Sequence, residues 1–96
     1  MFKITDGKGF SVTFENDWQV SVQWGIGNYC SNRNLGLATG YVEAQRKAGA
    51  NGAPSAECAV FNPEGDFVIP AGFGEDVQGY CDASEVMKIL LWAQSQ

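Results

Sequence analysis

The residues best suited to chemistry crowd into one short stretch, Trp24-Gly25-Ile26-Gly27-Asn28-Tyr29-Cys30-Ser31-Asn32-Arg33-Asn34. Arg33 offers a planar fork for a carboxylate or phosphate, which a lysine would not duplicate. Tyr29 adds a stacking face with a hydroxyl. Asn28, Asn32 and Asn34 supply donors and acceptors and tolerate left-handed turns. Gly25 and Gly27 let the backbone approach a ligand or a neighbour closely. Together these groups can grip an anionic, planar ligand such as a nucleotide. The same residues also make a well-bonded turn, with Arg33 paired to a local acid such as Glu57 or Glu43. Glu57 lies between small residues at the start of a strand pattern. Facing inward it would need a cation, and Arg33 and Arg46 are the candidates. The candidate ligand- or partner-binding residues are therefore Asn28, Tyr29, Asn32, Arg33, Arg46 and Glu57.

Much other chemistry is excluded by composition. The chain contains no histidine, so serine–histidine and cysteine–histidine nucleophile systems cannot be built within it. There is no phosphate-cradling GxxxxGK[ST] loop, and Gly25-Ile26-Gly27 lacks the third glycine and the following helix of a dinucleotide fingerprint. Cys30, Cys58 and Cys81 have no close spacing, and a zinc site would need a fourth ligand at an unsuitable distance. Paired carboxylates such as Glu57 with Glu43 arise by chance among eleven acids. The expectation is a non-enzyme without cofactor or metal. Cys30 would be reactive only beside a cation that lowered its pKa, and Arg33 is the one nearby; a buried, inert thiol is the simpler reading, more so for Cys58.

Those residues need a scaffold, and the chain is long enough for one. Ninety-six residues make a single domain, 45% hydrophobic, with a net charge of −5. That charge disfavours direct nucleic-acid binding through phosphate neutralisation and suits a cationic partner surface. No apolar run reaches the ~18 residues of a membrane span. The start, Met1-Phe2-Lys3-Ile4-Thr5, has no signal-peptide character, which points to the cytoplasm and reduced thiols.

Period-two alternation predicts strands at about 2–5, 10–15 and 18–24, with Phe10, Val12 and Phe14 and then Trp18, Val20, Val22 and Trp24 on one face. Asp6-Gly7-Lys8-Gly9 and Asn16-Asp17 mark the turns. From about 25 to 54 the pattern fades into a long glycine- and asparagine-rich loop, of the kind that often carries function. Two further runs, about 56–61 and 66–69, flank Asn62-Pro63-Glu64-Gly65, a type I turn sequence, and read as a hairpin. Pro70, Gly72 and Gly74 then end the sheet. Asp82-Ala83-Ser84-Glu85 is a capping box opening a helix over about 83–94. Its apolar stripe is Val86, Ile89, Leu90 and Ala93, widened by Met87 and Trp92. The expected fold is α+β: an antiparallel five-stranded sheet, built from a three-strand meander and a hairpin, covered by one C-terminal helix. Such an open sheet has two edges to protect, and pairing into a homo-oligomer is one way to do it.

The opening meander through Gly27-Asn28-Tyr29-Cys30, the Ala56-Glu57-Cys58 hairpin and the closing Ala83–Gln96 segment resemble a group of small phage and prophage proteins with a GNYC-type loop and a C-terminal helix. The resemblance spans nearly the whole chain, but its motifs carry no established chemistry. It implies an accessory protein in the host bacterial cytoplasm that acts by stoichiometric binding. The leading expectation is an inhibitor of a host defence protein. A binder that sequesters a nucleotide signal, through Tyr29, Asn28, Asn32 and Arg33, is the alternative, and a structural or virion-assembly component the third.

Overall fold

The computed structural model describes residues 1–4, 9–24, 54–74 and 78–96. The fold is α+β, as the alternation predicts. Strands β1 (Phe2–Ile4), β2 (Gly9–Thr13) and β3 (Gln19–Gln23) form the antiparallel meander. Strand β4 (Ala56–Phe61) pairs with β3 along its whole length, Val20 opposite Val60 and Val22 opposite Cys58. Strand β5 (Phe67–Val68) completes the expected hairpin, and helix α1 (Ala83–Gln94) closes the chain.

The β2–β3 and β4–β5 hairpins turn by the same device. In the first, the Asp17 amide donates to the Phe14 carbonyl at 2.9 Å and Asp17 is left-handed, with φ 67°. In the second, the Gly65 amide donates to the Asn62 carbonyl at 2.9 Å with φ 84° at Gly65. Each is a type I turn followed by one left-handed residue, a standard three-residue hairpin loop. The Asn62 side chain adds a bond, its Oδ1 accepting from the Asp66 amide at 2.8 Å.

One element departs from the expected sheet. A sixth strand, β6 (Gln78–Cys81), pairs antiparallel with β4, Ala56 opposite Cys81 and Cys58 opposite Gln78. The sheet therefore does not end at Pro70-Ala71-Gly72. Strands β5 and β6 run in the same direction along one edge of β4, so they are two pieces of a single broken edge strand. The register gains one residue on β6 between its two pairs, and Tyr80 in that interval is left-handed, with φ 55°. This bulge erases the period-two signal: only Cys81 of the four residues is buried.

The core lies between one sheet face and α1. It holds Val12, Val20, Val22, Ala56, Cys58, Val60, Cys81, Ile89 and Ala93. The helix starts where its capping box predicts: Asp82 Oδ1 accepts from the Glu85 amide at 2.8 Å, and the Asp82 amide donates to Glu85 Oε1 at 3.2 Å. Its far end is tied to the β2–β3 turn. Asn16 Nδ2 donates to the carbonyls of Ala93, Gln94 and Gln96, at 2.9, 3.2 and 3.2 Å, satisfying acceptors that a helix terminus leaves open. Beside that clasp the Trp18 and Trp92 rings meet edge to face, centroids 5.5 Å apart.

Candidate functional site: an apolar groove beside an open strand edge

A helix with its side chains is about 10 Å wide, while strands repeat every ~4.8 Å across a sheet. One helix therefore covers two or three strands. In this fold α1 packs over β3, β4 and β6. The inner faces of β1 and β2 are left beside it, and a groove follows.

The groove runs along one flank of α1 in two connected sections. A hollow of about 270 Å³ is lined by Phe2, Phe10, Val12, Phe14, Met87, Leu90, Leu91 and Gln94. A second, of about 340 Å³, shares Phe10, Met87 and Leu90 with it and extends past Val22 and Trp24 to Cys81 and Ala83. On the helix these are positions 83, 86, 87, 90, 91 and 94, a stripe beside the buried one of Ile89 and Ala93. Gln94 and Ser55 are the polar side chains among their described lining residues.

The outer wall is strand β1. Its register places Phe2 opposite Val12 and Ile4 opposite Phe10, so both apolar side chains lie on the core face. Yet Phe2 is 75% exposed and Ile4 87%, while across the groove Met87 and Leu91 are 53% and 57% exposed. Backbone bonding points the same way. The Met1 amino group donates to the Thr13 carbonyl at 2.7 Å, and the Thr13 amide donates back to Met1 at 2.8 Å. Antiparallel pairs alternate between bonded and non-bonded. Phe2 and Ile4 are thus the non-bonded positions, and their N–H and C=O groups point to the outer edge. Among the described residues, β1 pairs only with β2. Among the described residues, exposed apolar side chains and outward-pointing backbone groups coincide at Phe2 and Ile4.

The opposite face of the sheet is polar, with Ser11, Thr13, Gln19, Ser21 and Gln23. Glu57 belongs to this face. It alternates with the buried Ala56 and Cys58, sits opposite Gln23, and is half-buried. Among the sequence candidates, Glu57 is the one the structure places; Asn28, Tyr29, Asn32, Arg33 and Arg46 lie outside the described residues, as does Cys30. The expected long loop over 25–54 likewise falls there, apart from Pro54.

The groove residues Phe2, Met87 and Leu91, and Ile4 beside them on β1, are absent from the sequence candidates. Alternation places Phe2 and Ile4 on the core face, and Met87 widens the predicted stripe. The usable signal was the mismatch between one helix and five strand positions. Among the described residues no three metal-ligating side chains converge, and no helix is long and apolar enough to cross a membrane. Comparison with protein-family models, curated proteins and solved structures finds no match.

Proposed function

We propose that this protein acts by stoichiometric binding of a protein partner, which adds an extended segment to the open edge of β1. Alternate side chains of an added strand fall on the groove side, beside Phe2 and Ile4, and its backbone bonds to the outward N–H and C=O groups of those residues. The single observation that supports this mode is that, among the described residues, the β1 edge without a strand partner coincides with an apolar groove that none of them covers. Fully burying a side chain of this size contributes about 1.5–3 kcal/mol, so two or three anchors supply about 3–9 kcal/mol before the cost of association, and the added strand's backbone bonds must contribute the rest. The net charge of −5 favours a partner segment flanked by basic residues. The likeness to small phage proteins makes a host bacterial defence protein the partner we place first, with the chain as its inhibitor.

The test compares Ile4→Asp and Leu91→Glu with Arg33→Ala and Tyr29→Ala, each as a tagged bait in bacterial host extract. Strand addition at β1 expects the first pair to lose a partner that the wild type holds at one-to-one stoichiometry, while melting temperatures stay unchanged. Loss confined to Arg33→Ala and Tyr29→Ala transfers the function to the loop around residue 30.

A further inference from the structure

Two thiols meet inside the fold. Cys58 on β4 and Cys81 on β6 are both buried in the core. The register sets Cys81 opposite Ala56, and Ala56 and Cys58 share the inward face of β4, so the cysteines are diagonal neighbours on adjacent strands. The Cys81 thiol donates to the Gln78 carbonyl at 3.5 Å, on the residue that faces Cys58 across the two strands. The second section of the groove, about 340 Å³, reaches Cys81 and does not include Cys58 among its described lining residues.

We propose that Cys58 and Cys81 form an oxidisable dithiol that a peroxide closes to a disulfide, stapling β6 to β4. In the first step the Cys81 thiolate attacks one oxygen of hydrogen peroxide, the O–O bond breaks, and hydroxide leaves, giving a sulfenic acid. In the second, the sulfur of Cys58 attacks the Cys81 sulfur, and the sulfenic oxygen leaves as water after taking up a proton. The balance is two thiols and one peroxide to one disulfide and two waters. The order of attack follows from access: Cys81 borders the groove, whereas Cys58 is fully buried. Burial foremost, together with the neighbouring Cys81, Glu57 and Glu85, pushes the Cys58 thiol up to about 12. Cys81 is also raised, by burial and by Glu85 and Asp82, so oxidation is slow and selective for a small oxidant.

Geometry sets the strain. Diagonal cross-strand positions lie ~7–8 Å apart at Cα, a little beyond the ~4.4–6.8 Å of most disulfides. Closure therefore draws β6 inward by about 1 Å. The bulge at Gly79-Tyr80 is where the backbone gives, since Tyr80 already occupies a sparsely populated conformation.

The experiment treats the folded protein, and a Cys30→Ser variant, with stoichiometric hydrogen peroxide, then maps thiols by mass spectrometry. Cleavage after Glu64 places Cys58 and Cys81 on different peptides. The expected result is a loss of 2 Da with those two peptides joined in both samples, and a melting temperature raised by about 5–15 °C that dithiothreitol reverses. The proposal is overturned if Cys81 proceeds to sulfinic acid with Cys58 still alkylatable, if Cys30 is the bridging partner, or if the bridge forms only in denaturant.

Discussion

Replacing Asn16 by alanine removes the clasp between the β2–β3 turn and the end of α1. The amide nitrogen has two hydrogens shared among three carbonyls, and Asn16 Oδ1 also accepts from the Trp18 amide at 3.0 Å. That amounts to about three hydrogen bonds at ~0.5–1.5 kcal/mol each. Water can take over at Gln94 and Gln96, where the bonds are exposed, but less well at the part-buried Ala93 carbonyl. We expect a net loss of about 1.5–2.5 kcal/mol, lowering the melting temperature by about 8–15 °C in a domain of this size. Asn16→Asp should be worse than alanine at pH 7, because a carboxylate then faces carbonyls at the negative end of the helix. That repulsion raises the folded-state pKa of the introduced acid above the unfolded value of ~3.9. The extra penalty is present above the folded pKa and vanishes as pH falls below the unfolded one. Urea titrations followed by tryptophan fluorescence at pH 7 and pH 3.5 measure both effects. A loss under 0.5 kcal/mol for Asn16→Ala would refute the view that this turn sets the helix end, and with it the position of Leu91 and Gln94 on the groove wall.

Gly9→Ala should cost more than 3 kcal/mol, since an added Cβ would lie 2.0 Å from the Val22 carbonyl oxygen at φ 149°; thermal melts would show whether the hairpin survives. Tyr80→Gly relieves a left-handed residue at an exposed bulge and should raise stability by about 0.5–1 kcal/mol, read in urea. The Cys58 thiol, raised from about 9 to about 12, binds its proton more tightly folded than unfolded. Stability should therefore fall as pH rises above 9, by about 1.4 kcal/mol at pH 10, and a Cys58→Val variant should flatten that slope. Mono-, di- and cyclic nucleotides should leave the melting temperature unchanged; a ligand at a hundred times its Kd would add ~2.7 kcal/mol, and such a shift abolished by Arg33→Ala would favour the nucleotide alternative.

The sequence carried the frame of this fold because its signals are local. Val20 and Val22 announce β3 by alternation, and Asp82 with Glu85 announces the helix start by a bond pattern three residues long. Strand β6 was illegible for the opposite reason. Its pairing is long-range, and the bulge at Tyr80 breaks the period by which strands are read. The groove was hidden by a different limit. Alternation assigns Phe2 and Ile4 to the correct face, but whether a face is covered depends on where α1 lies across the sheet. Glu57 shows the same dependence: its neighbours left open whether it faces inward, and the pairing puts it on the polar face opposite Gln23.

The central claim is that β1 and the groove beside it dock a protein segment. Quantitative capture from bacterial host extract by the wild type, by the Ile4→Asp/Leu91→Glu double variant and by Arg33→Ala tests it most directly. Strand addition at β1 predicts one partner held at equal stoichiometry by the wild type and Arg33→Ala, and depleted at least tenfold by the double variant. A partner retained by the folded double variant would contradict it.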